Sequence, residues 1–295
     1  MKKITALLLA LSIIFCTAAC SSRTKEDDGD EKFRVVTSFY PLYIMAINIT
    51  DGVSGVEVNN MADKQTGCLH DYQLQSKDMK NIEQADMFVI NGAGMESFMD
   101  KVTSRLPNLR IVDSSKNIEL YKDDKGTANP HIWVSITNYI KQLNNIANAF
   151  VEADPKNAEA YRKNAQDYTA KLSVLRNKMH TELGNIKHRD IITFHEAFPY
   201  FAKEFDLNIV KVINREPDSQ PSAQELADTI HLIKESGVKA VFAEPQYPKS
   251  AANTVANESG AKLYTLDPAV TGENDKNAYL NAMENNLKVL KEALQ

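Results

Sequence analysis

Short runs of β-branched and aromatic residues alternate along the chain with longer stretches in which apolar residues recur every three or four positions. The runs R-V-V-T-S-F at 34–39 and M-F-V-I-N at 87–91 are apolar enough to predict strands buried on both faces, with helical patterns at 42–50, 73–85, 95–106 and 137–153. The second half repeats the alternation, with predicted strands at 190–194, 209–212, 240–243 and 263–266 and helices at 197–205, 223–236, 250–259 and 277–294. Strands alternating with helices pack best as a parallel sheet covered by helices, so the pattern predicts an α/β protein of two α/β lobes with central parallel sheets. No sequence repeat relates the halves, so any symmetry between them is structural only.

Between the halves the pattern runs without a breaker from Asp154, an apparent N-cap, through Pro155 to Gly184. Ala158, Tyr161, Ala165, Tyr168, Leu172, Leu175, Met179 and Leu183 keep one apolar stripe along it. A single long helix therefore joins the lobes as a rigid backbone, and modest lobe motion is expected instead of a wide hinge. The predicted organisation is an N-terminal lobe at 33–153, the linking helix at 154–184 and a C-terminal lobe at 185–295.

The N-terminus reads differently. Lys2 and Lys3 precede an apolar stretch at 4–15, and Thr17-Ala18-Ala19 are small residues before Cys20, so residues 1–19 have the form of a secretory signal whose core is too short to span a bilayer. Small residues directly before a Cys, with Ser21-Ser22 after it, resemble a lipobox, which makes Cys20 the expected lipidation site. Residues 20–32 then form a lipidated Cys and polar tether, too poor in apolar groups to repay ordering. A lipid-anchored body at the extracytoplasmic face of the cell membrane is the expected location.

Charge narrows the partners. Across 295 residues, 34 Lys and Arg stand against 39 Asp and Glu, a formal net charge of −5 that gives no electrostatic footprint for nucleic acid. Of the cysteines Cys16, Cys20 and Cys68, only Cys68 belongs to the body, so no disulfide framework is needed.

The candidate chemistry lies in histidines. His70, His131 and His195 are expected where a strand gives way to a loop or helix, the edge at which open α/β sheets bind ligands. His180 and His231 fall within predicted helices and His188 in a polar connection, so these three read as surface residues. Asp267 and Glu244, each at the end of a predicted strand, are the carboxylates able to complete a coordination sphere. Three imidazoles and a carboxylate suit tetrahedral Zn²⁺, with Mn²⁺ as the alternative. Cys68 is read as a small buried residue and not a ligand.

These residues, with their neighbours, resemble the zinc and manganese solute-binding lipoproteins of bacterial ABC importers. The matching pieces are Ser38-Phe39-Tyr40-Pro41-Leu42, Asn129-Pro130-His131-Ile132-Trp133, Asp154-Pro155 with Tyr161, Phe194-His195-Glu196-Ala197-Phe198, Glu216-Pro217, Ala243-Glu244-Pro245-Gln246 and Leu266-Asp267-Pro268. The resemblance implies a monomer holding a metal in an inter-lobe cleft and delivering it to a membrane permease driven by a cytoplasmic ATPase. Carried over position by position, the ligands are His70, His131, His195 and Asp267, with Glu244 as the alternative fourth, and a His at 195 goes with zinc. Two departures are visible: Leu69 stands where the family usually has Pro, and residues 120–128 lack a His-rich loop.

Two other functions use the same residues. A secreted zinc hydrolase would employ Glu196 or Glu244 as base to a zinc-bound water. The run His195-Glu196-Ala197-Phe198-Pro199 is no H-E-x-x-H motif, and no nucleophile elbow is present in the sequence. A surface adhesin whose metal only stabilises the fold is the remaining reading. A non-enzymatic zinc-binding subunit is the expected function.

Overall fold

Four short parallel strands at Phe33–Thr37 (β1), Val56–Asn60 (β2), Met87–Ile90 (β3) and Arg110–Asp113 (β4) form one sheet in the order β2-β1-β3-β4. Asp190–Thr193 (β5), Asn208–Val212 (β6), Ala240–Ala243 (β7) and Lys262–Thr265 (β8) form a second, also parallel, in the order β6-β5-β7-β8. The two orders are the same, so the halves are related in topology though not in sequence. This is a computed structural model, and it describes residues 32–62, 67, 69, 72–123, 125–213, 221–246 and 248–295. The expected signal at 1–19 and the expected tether at 20–32 up to Glu31, together with Cys68, His70 and Glu216-Pro217, lie outside the described residues.

Burial accounts for the plain signal of the inner strands, while of the half-exposed edge strands, β6 and β8 were expected from the sequence and two others were not. The inner strands β3 and β7 are buried throughout, as M-F-V-I and A-V-F-A require. The edge strands β2, V-E-V-N-N, and β4, R-I-V-D, are half-exposed and mixed in polarity, and neither was expected from the sequence. Their identity as strands comes from pairing with β1 and β3, a tertiary effect that outweighs their weak local signal.

Helices at Tyr40–Ile49 (α1), Ser76–Glu83 (α2), Met99–Arg105 (α3) and Ile136–Ala153 (α4) accompany the first sheet. The second is accompanied by Pro199–Glu204 (α6), Ala223–Ser236 (α7), Ser250–Ser259 (α8) and Ala278–Leu294 (α9). Helix α7 opens on a capping box between Ser222 and Glu225 and closes on the left-handed Gly237, so both its ends are specified locally. Its expected bounds and the observed ones agree.

The long linking helix is α5, Ala158–Leu183, about 39 Å at 1.5 Å per residue. Its start corrects the sequence reading. Asp154 does not cap it with its side chain; Oδ2 instead accepts from the Tyr161 hydroxyl at 2.6 Å and the Asn157 amide at 2.7 Å. With that carboxylate engaged and Pro155 lacking an N–H, residues Pro155–Asn157 wind as a tighter 3₁₀ turn before the α-helix begins. From Tyr161 to Leu183 the expected stripe is buried, while Ala158 is only half-buried.

That stripe lies against α1, α4 and α9, helices from both ends of the sequence, and one continuous apolar core runs from Val35 to Leu294. Residues 33–295 form one compact unit accordingly. Polar straps reinforce the core: Tyr40 on α1 donates to the Glu273 carbonyl at 2.7 Å, and the Asn48 amide to that of Lys276 at 2.9 Å. Gly272 permits the first of these, because a Cβ there would stand 2.4 Å from the Tyr40 hydroxyl oxygen.

If α5 is the shared spine, truncation on its buried stripe should weaken the whole unit. Leu172→Ala, at a fully buried site, should cost about 2 to 5 kcal/mol in urea unfolding. Val174→Ala, two residues on and 70% exposed, should change stability by less than about 0.5 kcal/mol. Equal losses would contradict the assignment of the buried face.

Candidate metal centre

The crevice outside the carboxyl ends of β5, β7 and β8 collects His195, Glu244 and Asp267. His195 stands two residues beyond β5, Glu244 directly follows β7, and Asp267 stands two residues beyond β8. β5 and β7 are neighbours from which the chain departs to opposite sides of the sheet, the switch point at which such sheets bind ligands. His195 and Glu244 are 3% and 1% exposed, and Nδ1 of the imidazole lies 2.6 Å from the Glu244 carboxylate. A carboxylate on one ring nitrogen fixes the ring and turns the other nitrogen, Nε2, to a ligand.

His131 reaches the crevice from the other half. It does not stand at a strand edge, as expected, but precedes the 3₁₀ turn Ile132–Val134 at the end of the long connection after β4. Its backbone N–H and Nδ1 both lie against the Asn129 side-chain oxygen, at 3.0 and 3.1 Å. Asn129 is itself anchored, donating to the Glu196 carbonyl at 2.9 Å and accepting from Tyr200 at 2.7 Å. The His131 ring is 2% exposed, stands 4.8 Å from that of His195 and is nearly perpendicular to it. Two imidazoles sharing one tetrahedral ion would place their centres about 5 Å apart.

Asp267 is held by its loop. Its N–H donates to Asn286 on α9 at 2.9 Å, its carbonyl accepts from the same side chain at 2.7 Å, and its carboxylate accepts from Ala269 N–H at 2.8 Å. The next carbonyl, that of Pro268, accepts from the Trp133 indole at 2.8 Å, and the Trp133 ring lies 5.3 Å from that of His131. The lone tryptophan therefore ties the His131 turn to the Asp267 loop. Burial raises the carboxyls of both Glu244 and Asp267; for Glu244 the neighbouring His195 opposes the rise and Asp267 adds to it, and for Asp267 the Ala269 N–H and Gln246 oppose it.

The described residues thus bring His131, His195 and Glu244 together with Asp267 close by. Among them no three His, Cys, Asp or Glu side chains converge tightly enough to hold a metal ion. His70, the remaining expected ligand, lies outside the described residues. His180, His188 and His231 are exposed, as expected. A cleft of about 550 Å³ opens beside the pair, lined by His131, Asn129, Glu196, Tyr121 and Gly94.

Sequence reading missed a buried carboxylate in the equivalent crevice of the first sheet. Glu96, 5% exposed, accepts from Ser38 Oγ at 2.6 Å, Asn91 N–H at 2.7 Å and Gly92 N–H at 3.0 Å. Its signal was the glycine-rich turn 91–96 closing β3, where Gly92 has φ +77° and a Cβ would meet the Asp113 carboxylate at 1.9 Å. Burial pushes the Glu96 carboxyl up to about 7, against those hydrogen bonds.

The family model described as ZnuA, zinc-uptake complex component A periplasmic, matches residues 35–293. The chain is 32% identical to the high-affinity zinc uptake system protein ZnuA of Bacillus subtilis, over 99% of this chain and 98% of that one. It is 30% identical to the zinc-binding lipoprotein AdcA of Streptococcus pneumoniae over 99% of its own length, and spans 61% of that longer protein. Its fold is similar to that of the solute-binding protein FpvC of Pseudomonas aeruginosa in complex with Mn²⁺, with a TM-score of 0.80 at 28% identity over 90% of this chain and 99% of that one.

The raised Glu96 carboxyl gives a pH dependence of definite sign. The folded group keeps its proton to about pH 7, whereas the unfolded one releases it near 4.5. Its stabilising contribution is therefore complete below pH 4.5 and is lost as pH rises through about 7. Across that window the metal-free protein should lose up to about 3 kcal/mol relative to Glu96→Gln in urea unfolding. Parallel pH profiles for the two proteins would contradict this.

Proposed function

The chain belongs to the family of the periplasmic zinc-uptake complex component A, and from that premise we propose that it captures one Zn²⁺ outside the cytoplasm and delivers it to an ABC permease driven by a cytoplasmic ATPase. The supporting observation is the His131–His195 pair, one imidazole from each half of the fold, perpendicular at 4.8 Å with the Glu244 carboxylate behind His195. Imidazole-rich sites favour Zn²⁺ over the harder Mn²⁺, and the names of the B. subtilis and S. pneumoniae relatives point the same way. The Mn²⁺ complex of FpvC keeps manganese as the alternative cargo.

In this reading His70, His131, His195 and Asp267 hold the ion, and Glu244 orients His195 instead of serving as the fourth ligand. Its 2.6 Å contact with Nδ1 already engages one carboxylate oxygen, and the raised carboxyls mean that ions and protons compete for this pocket. The family's role is solute binding for transport, so the pocket is built to hold and release, without a catalytic water. Release follows from contact with the permease, which need only spread ligands contributed by the two halves.

The remaining assignments belong to the same proposal. Residues 1–19 are a signal peptide, Cys20 carries lipid and 20–32 tether the body to the outer face of the membrane, as the lipoprotein relative supports. The lobes at 33–153 and 185–295 flank the linking segment 154–184, and the protein works as a monomer.

The test is a comparison of His131→Ala with His231→Ala in Zn²⁺ affinity, measured by competition with a chromophoric chelator. Loss of a first-sphere imidazole should weaken binding by more than about 100-fold, beyond what an orienting partner contributes. His231 is 73% exposed and faces Glu235, so its removal should have no effect. Equal affinities for the two variants would overturn the ligand assignment.

A further inference from the structure

The carboxylate of Glu96 lies in the crevice between β1 and β3 of the first sheet, the position that Glu244 occupies between β5 and β7 of the second. In the second sheet the carboxylate acts on the His195 ring directly. In the first an amide intervenes. Asn91, whose N–H Glu96 accepts at 2.7 Å, donates from its side chain to the Pro130 carbonyl at 2.9 Å, and Pro130 is joined by one peptide bond to His131.

We propose that Glu96 is a positioning residue for the zinc centre, acting through Asn91 to fix the Pro130–His131 peptide and so the direction of the His131 imidazole. The proposal rests on the reading of His131 as a ligand. Each polar atom of Asn91 is committed. Its N–H is held by Glu96, its carbonyl accepts from Ser114 Oγ at 3.1 Å, and its side-chain oxygen accepts from Gln142 Nε2 at 3.0 Å. Gln142, fully buried on α4, also donates to Ser114 Oγ at 2.8 Å. The one remaining group, Nδ2, bridges the Gly92 and Pro130 carbonyls at 3.0 and 2.9 Å.

The choice of a carboxylate follows from its neighbours. Two backbone N–H groups and a hydroxyl converge on Glu96, and once ionised, above about pH 7, its two oxygens accept from all three with no donor among them. A Gln in its place turns an NH₂ toward one N–H, which loosens the turn that aims Asn91. The other side of the loop is pinned separately by Asn129, so His131 is gripped from two directions. A ligand gripped in this way binds without first being ordered.

The experiment measures Zn²⁺ affinity of the full chain by chelator competition for the wild type, Glu96→Gln, Asn91→Ala, His131→Ala, His195→Ala and the double variants of Glu96→Gln with each His→Ala, after circular dichroism establishes that each is folded without metal. Glu96→Gln and Asn91→Ala should each weaken binding about tenfold, the scale of an orienting partner. The Glu96→Gln effect should vanish in the His131→Ala background and persist in the His195→Ala background. Should Glu96→Gln fail to fold, Asn91→Ala alone and combined with His131→Ala and with His195→Ala decides in its place, because that change leaves Glu96 and its backbone donors intact. An unchanged affinity in the folded single variants, or a loss of equal size in both His→Ala backgrounds, would overturn the proposal. A His131→Ala protein that binds as the wild type does would overturn the ligand reading and the proposal with it.

Discussion

A divalent cation gains most from donors that already converge, and in this protein the two imidazoles that converge come from positions 131 and 195, on opposite sides of the linking helix. Their 4.8 Å approach is set by how the first half of the chain is fixed to the second. Three features fix it: the apolar stripe of α5 buried against helices from both ends of the chain, the Tyr40 and Asn48 straps to residues 273 and 276, and the Trp133 indole on the Pro268 carbonyl. Stacking of Tyr139 on Tyr279 at 3.6 Å, with the Tyr279 hydroxyl on the Trp133 carbonyl, closes the same seam. The two straps, the indole bond and the tyrosine stack each join residues separated by more than a hundred positions, so the two halves and the tertiary fold are stabilised together.

The electrostatics of the crevice follow from the same burial. Carboxylates removed from water hold their protons more tightly, and Glu96, Glu244 and Asp267 all shift upward for this reason. A cation entering the pocket reverses that preference, since it supplies the positive charge that burial withholds. At the proposed site metal and proton would therefore compete, and a pocket loaded at neutral pH would empty more readily in acid. The equivalence of the two sheets gives this a structural form, with a buried carboxylate at each switch point, one on an imidazole and one on an amide.

Legibility in the sequence followed burial and locality. The inner strands, the capped helix α7 and the stripe on α5 carry their own signals, and all were readable. The edge strands β2 and β4 exist through pairing, and the start of α5 through Asp154 turning to Tyr161; neither leaves a local pattern. Of the candidate site, His195, Glu244 and Asp267 were legible because strand ends can be read from apolar runs. His131 was legible as a residue but not as a position, for it sits on a loop whose path is set by Asn129 and Asn91. Glu96 was not legible, because a single acidic residue after a glycine-rich turn looks the same whether it faces solvent or closes a buried network.

The most direct measurement of the central claim is zinc-edge anomalous diffraction from crystals of the protein loaded with one equivalent of Zn²⁺. A single anomalous peak is expected between the His131 and His195 rings, with nitrogen from each at about 2.0 to 2.1 Å. A principal peak elsewhere, or one that only one of the two imidazoles reaches, would contradict it.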